Sequence, residues 1–476
     1  MNIVSLQFFI FFIIVYLLLY LVCKFVKNDK KSILLSNWII LISNAFFIGY
    51  VDYRFLIITF IISLITWYSG KNKKFSTIGI ILCVLSLVFF KYSNFFIESF
   101  NAIFKTNVGI MKIILPIGIS FYVFSAISYI VDVKRNKVEV HNLFDVFIYL
   151  SFFPKIISGP IERSKEFFDQ ISKKRILGVN TFNDGIQIFV FGMFKKMVLA
   201  DRLAVFVDQV YGHVNSFGSL TVLLAVIAYS LQIYFDFSGY SDMAIGISKM
   251  IGINLPRNFN LPYLSHNVTE LWKRWHITLS SWLQDYLYIP MGGSRKGTIR
   301  SYFNLVMTMV IGGLWHGANI SYIIWGLLHG ISLVIHKLWM RITNSKVKEK
   351  NIFSNCISIF ITFIFTSFCW IFFKTENINK SLDIIKKIFS FKKGVEHLYI
   401  WLFFAIIVLI VCSLFAYKKS ISEKDNLKNK NNSFVNGYYP ILDLHKFWNL
   451  VLFFILCGLV FGLSYTGGSP FIYGNY

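Results

Sequence analysis

Residues 1–26 read MNIVSLQFFIFFIIVYLLLYLVCKFV, and no charged side chain precedes Lys24. A helix needs about 20 consecutive apolar residues to cross a bilayer, so this stretch predicts a membrane-spanning helix. It lacks the basic start and the small-residue cleavage site of a secretory signal peptide. We therefore expect it to remain in the protein as a membrane anchor.

Apolar runs of similar texture recur along the 476-residue chain. Further spans, or large parts of spans, are predicted at residues 55–67, 76–90, 108–131, 220–235, 352–373, 397–416 and 447–463. The mean hydropathy is +0.62, and only 15% of the residues are charged, against about a quarter in soluble domains. The fold class is predicted to be all-α: a polytopic integral membrane protein in the lipid bilayer, with roughly eleven to thirteen membrane segments.

The formal net charge of +24 would suit a nucleic-acid partner, but the positions of the basic residues argue against one. They lie in short loops between spans, as in the cytoplasmic loops of membrane proteins. The segments assigned to the cytoplasm on this basis are 24–31, 71–74, 134–137, 163–175 and 337–350. The alternation of spans then predicts that both termini are extracytoplasmic. The same alternation places the Lys-rich segment 374–393 on the extracytoplasmic side, in conflict with the rule that positively charged loops are cytoplasmic.

The six cysteines are scattered through apolar runs without a C-x-x-C pair. This pattern favours buried free thiols over a disulfide framework or a metal site. No H-E-x-x-H zinc spacing, G-x-S-x-G elbow, Walker sequence or Rossmann fingerprint occurs. The sequence therefore predicts no metal centre and no bound cofactor.

The chain is interpreted as one membrane domain, residues 1–476, with three regions. Residues 1–140 are plain spans, and so are residues 341–476 apart from a Lys-, Asn- and Ser-rich segment that predicts a cytoplasmic linker, 418–436. Residues 141–340 hold most of the histidines and the densest Trp, Pro and Gly clusters. Within them, FFPKIISGP at 152–160 is too short to span and return, which predicts a re-entrant loop enclosed by protein.

Residues 260–290 carry aromatic and aliphatic side chains at helical spacing, with Lys273 and Arg274 on the other face. The pattern predicts one amphipathic helix that lies along the cytoplasmic interface or dips into the protein. Asn267 with Glu270 three residues later resembles a capping box at its start. A plain interfacial anchor with a Trp belt would show the same pattern.

Two histidines of the central region, His276 and His329, could serve only to pack the protein interior. His276 borders the apolar face of the predicted helix, where it is either simply packed or bound to a polar partner among Arg274, Ser280 and Asp285. His329 is predicted to be packed or interfacial. A metal site shared with His316 is not favoured, because the two would diverge by about 140° on one helix.

The strongest local signal is GGLWHGAN at 312–319, inside the apolar stretch 301–335. Two half-helices broken at Gly312 and Gly313 would put His316 near the middle of the membrane. An ionisable residue at that depth is a functional hypothesis, and imidazole suits general-base work near neutral pH. The alternative is a structural histidine that binds a backbone carbonyl at the break.

A second polar cluster, QIYFDFSGYSD at 232–242, closes an otherwise apolar span. Its carboxylates and hydroxyls need partners if they are buried. They could line the entrance of a donor substrate, orient a histidine or pair with Arg274. They could also form the solvated polar end of a span.

Six short strings, taken in order and spacing, resemble the bacterial polysaccharide branch of the membrane-bound O-acyltransferase family. That branch is typified by the membrane subunit of alginate O-acetylation. The strings are LPIGISFY (115–122), FPKIISGPI (153–161), YFDFSGYSDMA (234–244), WKRWHITLS (272–280), YIPMGGSR (288–295) and WHGA (315–318). The resemblance covers about residues 110–340.

The resemblance implies a funnel-shaped enzyme with a thin central floor and re-entrant or half helices, in the cytoplasmic (inner) membrane of a bacterial cell. His316 matches the family's essential histidine and would take the acceptor proton. His276 matches the second polar position on the cytosolic side and would help to hold or polarise a thioester. The supporting and donor-binding candidates are Gln232, Asp236, Tyr240, Arg274, Ser280, Asp285 and Trp315.

The implied reaction transfers an acetyl group from a cytosolic thioester, acetyl-CoA, across the membrane for O-acetylation of an extracellular or cell-wall polysaccharide. An extracellular SGNH acetyltransferase, similar to Ser hydrolases, is the implied protein partner. The last six residues, FIYGNY (471–476), resemble the F-x-Y-x-x-F tail of related acyl-relay systems. This chain departs from that pattern by ending in Tyr476. The resemblance makes Tyr473 a candidate acyl carrier, whereas an aromatic interface tail is the other reading.

Two other functions fit part of the pattern. D-alanyl transfer to teichoic acid uses a related fold but takes its acyl group from a carrier protein. A polysaccharide or small-molecule transporter without chemistry would also be polytopic, although the chain shows no internal repeat of the kind that many transporters have.

Overall fold

The computed structural model describes residues 1–343, 351–426, 442–465, 467 and 472. It falls into two compact units, Met1–Met193 with Tyr240–Pro256, and Phe194–Gly239 with Arg257–Ile472. Over the described residues the one β interaction is an isolated parallel bridge between Phe217 and Val395. The all-α prediction is confirmed, and the interpretation as a single domain stays a prediction.

The first unit contains eight helices over the described residues. They are α1 (Leu6–Phe25), α2 (Asp29–Val51), α3 (Tyr53–Lys71), α4 (Ser76–Phe104), α5 (Ile119–Lys134), α6 (Leu143–Ser151), α7 (Ser164–Ile171) and α8 (Val179–Met193). Asparagine side chains cap α2 and α6, since Asn28 accepts from the Lys31 N–H and Asn142 from the Asp145 N–H. Such caps satisfy N–H groups that have no partner inside the helix.

The second unit begins with the π-helical segment Phe194–Ala200. Its α-helices are α9 (Asp201–Gly212), α10 (Ser219–Met250, which continues into the first unit), α11 (Val268–Arg274), α12 (Ile277–Leu283), α13 (Thr298–His316), α14 (Ile320–Ile342), α15 (Ile352–Thr375), α16 (Ile378–Phe389), α17 (Ile400–Asn426) and α18 (Phe447–Leu463). A second π-helical segment, Gln284–Tyr288, follows α12.

Seven helices within the described residues are long and apolar enough to cross a membrane: α1–α4, α10, α14 and α15. Two shorter apolar helices lie at Ile400–Leu414 and Phe447–Leu463. The chain is therefore a multi-pass membrane protein. The predicted eleven to thirteen segments would also have to include helices outside this set, such as α5 and α13.

Helix α2 was not among the predicted spans, because its inward face is polar. Asn44 on that face donates to Ser151 Oγ at 3.1 Å and accepts from the Phe153 N–H at 2.9 Å. In α3, Thr59 and Ser63 instead return their hydroxyls to carbonyls four residues earlier. These local bonds satisfy the hydroxyls of Thr59 and Ser63, which face the interior of the first unit.

The predicted re-entrant loop, residues 152–160, is a buried non-helical segment between α6 and α7. Its Lys155 Nζ lies 3.5 Å from Glu162 Oε2 and 4.3 Å from the centre of the Tyr149 ring. Both charged groups are almost fully buried. The loop is therefore enclosed by protein, which is the condition under which irregular backbone is tolerated inside a membrane protein.

The prediction of a span at 108–131 is wrong in its first half, since α5 begins only at Ile119. Pro116 and Gly118 precede the helix, and Gly118 has φ 70°. A Cβ on Gly118 would lie 1.8 Å from the Ile156 carbonyl oxygen, so the loop backbone occupies the space of a side chain. Close backbone contact and a left-handed conformation therefore delay the start of α5.

Glycines bring α13 and α14 into direct backbone contact. A Cβ on Gly313 would lie 2.2 Å from the Tyr322 carbonyl oxygen, and one on Gly326 would lie 2.4 Å from that of Met309. Gly312 and Gly313 thus lie inside α13 and were wrongly predicted to break it. The break comes at residues 317–319, where Asn319 caps α14.

We expect Gly313→Ala to destabilise the protein by about 1–3 kcal/mol, because the new methyl group overlaps the Tyr322 carbonyl. Gly458→Ala in α18 is the matched control, since nothing lies within 4 Å of its Cβ position. That substitution should be neutral or stabilising by about 0.5–1 kcal/mol. Thermal unfolding midpoints of the purified variants test this, and equal midpoints for the two would contradict the close helix contact.

Candidate active site

The predicted amphipathic helix at 260–290 is interrupted where His276 lies, which corrects the expectation of one continuous helix. Trp275 is extended and His276 has φ 42°, a left-handed conformation. The segment 258–260 binds both sides of this break. Asn258 O accepts from the Ile277 N–H at 2.8 Å, and the Asn260 N–H donates to Arg274 O at 2.9 Å.

The start of α11 agrees in part with the predicted capping box. Asn267 accepts from the Glu270 N–H at 2.9 Å. Glu270 binds the N–H of His266 at 2.9 Å. In a capping box the Glu270 side chain would accept from the N–H of Asn267 itself. Here it accepts from the N–H of the preceding residue, His266, and so still satisfies an N–H group just before the helix.

His276 is buried, with 1% of its surface exposed. Its ring meets the Phe237 ring edge-on at 4.6 Å and lies 6.2 Å from the Trp315 ring. Burial lowers the pKa of His276 to about 3, because desolvation disfavours the charged imidazolium. At neutral pH the ring is uncharged, with one nitrogen that donates a hydrogen bond and one that accepts.

His316 is the last residue of α13 and is 2% exposed. Aromatic rings surround it, at centroid distances of 4.8 Å for Trp315, 5.0 Å for Phe373, 5.3 Å for Trp325 and 6.3 Å for Tyr322. We call this set the aromatic cage. It keeps the imidazole in a low-dielectric setting, where hydrogen bonds and charges act more strongly than in water.

The two predicted catalytic histidines are brought together by one side chain. Trp315 contacts His316 on the same helix and also lies near His276, which comes from the break between α11 and α12. Trp315 was predicted as a supporting residue, and its buried ring lies 6.2 Å from the His276 ring and 4.8 Å from the His316 ring. The sequence could not show this proximity, because the histidines are 40 positions apart.

The helix break after His316 is tied to the end of α15. Asn319 Nδ2 donates to Glu376 O at 2.5 Å, and the Tyr322 hydroxyl donates to Glu376 Oε1 at 2.7 Å. Because Tyr322 belongs to the aromatic cage, these bonds also fix one wall around His316. Glu376 was not predicted, and its only signal was its place at the polar end of an apolar span.

His329 is also buried, but its surroundings differ. Its ring lies 5.0 Å from Trp325, 5.2 Å from Trp272 and 5.7 Å from Phe365. Neither ring nitrogen has a hydrogen-bond partner within the described part of the chain. This agrees with the expectation that His329 is a packed residue. Among the described residues no group of three His, Cys, Asp or Glu side chains could hold a metal ion.

Asp236 in α10 pairs with Lys196, a residue that the sequence reasoning missed. Lys196 Nζ lies 2.5 Å from Asp236 Oδ1 and 2.8 Å from Asp201 Oδ1, and all three side chains are buried or nearly so. The predicted alternative, a pair with Arg274, is wrong. Arg274 instead binds Glu270 at 2.7 Å. The available signal was Lys196 itself, a cation within an apolar stretch.

The other predicted supporting residues are more dispersed. Gln232 is buried in α10, and its Oε1 accepts no hydrogen bond from the described residues. Tyr240, also buried, belongs to the first unit. The Ser280 hydroxyl donates to Trp275 O at 3.2 Å, and Asp285 is partly exposed in a π-helical segment. Tyr473 lies outside the described residues.

Comparison with known proteins supplies a family for this arrangement. The model of MBOAT, the membrane-bound O-acyltransferase family, matches residues 76–375. Probable alginate O-acetylase AlgI of Pseudomonas putida is 42% identical over 320 residues, which are 66% of this chain and 64% of that protein. Peptidoglycan O-acetyltransferase of Helicobacter pylori is 37% identical over 345 residues, 67% of this chain and 65% of that protein.

A more distant relative is teichoic acid D-alanyltransferase of Bacillus subtilis. It is 30% identical over 270 residues, which are 53% of this chain and 67% of that protein. The chain thus spans just under two thirds of the length of the two O-acetylation relatives. The range matched by the family model contains Asp236, His276 and His316.

Two matched substitutions test which cation forms the ion pair with Asp236. Lys196→Met should destabilise the protein by about 3–5 kcal/mol, because it leaves buried carboxylates without their cation. Arg274→Met should cost only about 0.3–0.5 kcal/mol, since its partly exposed pair with Glu270 is of the ordinary helix-surface kind. Thermal unfolding of both variants measures the difference. A larger loss for Arg274→Met would contradict the assignment.

Proposed function

Because the chain belongs to the membrane-bound O-acyltransferase family, we propose that it transfers an acetyl group from a cytosolic thioester to a hydroxyl destined for polysaccharide O-acetylation outside the cell. The observation that carries this proposal is His316, an ionisable side chain that is 2% exposed inside an aromatic cage at the end of α13. His329 is buried as well, but it lies within α14, whereas His316 lies where the chain leaves a helix and shares the neighbouring Trp315 ring with His276.

In the proposed reaction His316 removes the proton of an acceptor hydroxyl. The oxygen attacks the thioester carbonyl carbon, a C–O bond forms and the C–S bond breaks. The thiolate leaves and takes up a proton, which His316 can return. General-base catalysis of this kind contributes about 10² to 10⁴ in rate.

His276 is proposed to orient the donor. Its ring is uncharged near pH 7 because burial lowers its pKa to about 3, so it can donate a hydrogen bond to the thioester carbonyl without carrying a full charge. Such a donor would stabilise the negative charge that develops on that oxygen. The reaction needs no bound cofactor, and acetyl-CoA is the proposed donor substrate.

The names of the relatives support the substrate class. Two of them are called O-acetylating proteins, of alginate and of peptidoglycan, which have hydroxyl groups as acceptors. We therefore propose an extracellular or cell-wall polysaccharide as final acceptor and an extracellular SGNH acetyltransferase as partner. The D-alanyltransferase relative is less similar, so D-alanyl transfer is the weaker proposal.

The proposed location is the cytoplasmic membrane of a bacterium, with both termini outside. The order of α1–α5 supports this, because the basic segments 24–31, 71–74 and 134–137 then fall on one side. Positive charge is enriched in cytoplasmic loops. On the same basis the linker 418–436 is proposed to be cytoplasmic.

Tyr473 is proposed to receive the acetyl group before the extracellular enzyme takes it. A tyrosine hydroxyl has a pKa near 10 and is a weak nucleophile until a base acts on it, a task that His316 can perform. The resulting aryl ester is a good donor, because phenolate leaves more readily than a sugar alkoxide.

His316→Ala should lower acetyl transfer by about 10²- to 10⁴-fold, because the general base is lost. His329→Ala is the matched control. Both imidazoles are buried and contact the same Trp325 ring, so the two variants share the packing loss. The assay follows radiolabelled acetate from acetyl-CoA into protein and glycan, at equal amounts of folded protein.

Two outcomes would contradict the proposal. Wild-type activity in His316→Ala would show that His316 is not the general base. An equal loss of acetyl transfer in both variants would mean that the loss of packing explains the effect. If the wild-type protein transferred acyl groups only from an acyl-loaded carrier protein, the donor would be that of the D-alanylating systems and not acetyl-CoA.

Tyr473→Phe should abolish glycan acetylation and leave acetyl-CoA binding intact, because it removes only the nucleophilic oxygen. In the wild type without the extracellular partner, peptide mass spectrometry should find an acetylated C-terminal peptide. Normal glycan acetylation by Tyr473→Phe would show that Tyr473 is not an acyl carrier and would favour the role of the tail as an interface anchor.

A further inference from the structure

The end of α18 and the residues after it are bound to the start of the second unit through main-chain groups. Arg202 Nε donates to Leu463 O at 3.2 Å, and the Tyr465 N–H donates to Met197 O at 3.1 Å. The acceptor carbonyl of Met197 lies in the π-helical segment Phe194–Ala200. A π-helical insertion departs from the regular hydrogen-bond series of an α-helix and is frequent at functional sites.

Among the described residues, few side chains of α18 are packed against protein, so these contacts add to what holds the helix. Its side chains are mostly exposed, with Val460 as its buried residue. Arg202 adds a second fixed point, since its guanidinium lies 4.9 Å from the Trp401 ring and 5.6 Å from the Tyr465 ring. The π-helical segment and Arg202 thus hold the chain at Leu463 and Tyr465.

Asp236 makes the next contact along this path. Its Oδ2 accepts from the Ile472 N–H at 2.9 Å, while its Oδ1 faces Lys196 Nζ at 2.5 Å. Lys196 belongs to the same π-helical segment that binds Tyr465. The cation orients the carboxylate, and the carboxylate binds the tail in a charge-assisted hydrogen bond, which is about twice as strong as a neutral one.

The residue after Asp236 belongs to the candidate site. Phe237 packs edge-on against His276 at 4.6 Å, and neighbouring Cα atoms are about 3.8 Å apart. The anchor for Ile472 and one wall of the His276 pocket therefore come from adjacent positions of α10. Ile472 in turn is one residue before Tyr473.

We propose that Lys196 and Asp236 form a latch for the C-terminal tail. Asp236 is a positioning residue that holds the Ile472 main chain, and this contact speeds acyl transfer to Tyr473. The acyl-transfer part rests on the proposed function, whereas the latch itself does not. In this scheme Lys196 acts through Asp236, whose carboxylate it orients.

Ile472→Pro tests the latch without altering Asp236 or Lys196, since proline lacks the N–H group. Ile472→Ala is the matched control, because it shortens the side chain and keeps the N–H. Hydrogen–deuterium exchange of the C-terminal peptide, in protein reconstituted in nanodiscs, should be faster in Ile472→Pro than in wild type. Ile472→Ala should match wild type. Equal exchange in all three proteins would overturn the latch, whether or not the protein transfers acetyl groups.

The positioning role has its own readout, the acetylated fraction of Tyr473 at fixed acetyl-CoA. Loss of a hydrogen bond to a charged group should lower the rate of Tyr473 acetylation by about 10- to 100-fold in Ile472→Pro, with acetyl-CoA affinity unchanged. Faster exchange with unchanged Tyr473 acetylation would overturn the positioning role. A wild-type protein that never acetylates Tyr473 would refute the relay, and the exchange experiment would still decide on the latch.

Discussion

Main-chain polar groups that leave a helix inside an apolar protein have no water to bind, and each must find a partner within the chain. Two of the described breaks meet that requirement with an asparagine side chain, since Asn44 binds the loop at 152–160 and Asn319 caps the helix after His316. At the break beside His276 the partner is the main-chain carbonyl of Asn258, which accepts from the Ile277 N–H. An amide side chain offers two donors and an acceptor at once, so it can replace lost helical bonds. The histidines can lie at breaks because these bonds keep the breaks fixed.

The aromatic cage and the histidines depend on one another. Rings of Trp315, Trp325 and Phe373 exclude water from around His316, which raises the strength of any hydrogen bond made there and the cost of any bond left unmade. At His276, burial lowers the pKa to about 3, which favours its neutral imidazole. Close contact through Gly313 supports the aromatic cage, because α14 carries two of the cage residues.

Composition and periodicity were enough to predict the all-α membrane fold and most long spans, and the ordered strings pointed to the family. The errors share a physical cause. Gly312 and Gly313 were predicted to break a helix, yet they serve close packing, and one sequence cannot distinguish these uses of glycine. Arg274 was offered as a partner for the carboxylates of residues 232–242, whereas Asp236 pairs with Lys196, which lies about as far from it along the chain on the other side. The break at Trp275 and His276 was hidden because its bonds come from residues 258–260, and helical periodicity continues across it.

The form of the contact with Ile472 explains how a tail could be held firmly and still vary in sequence. Asp236 recognises a main-chain N–H, a group that every residue except proline offers. The Ile472 side chain does not enter this contact. The bonds to Leu463 and Tyr465 hold the chain at and just after the end of α18. A carboxylate oriented by Lys196 then binds the chain again at Ile472, through a group that does not depend on the identity of the side chain.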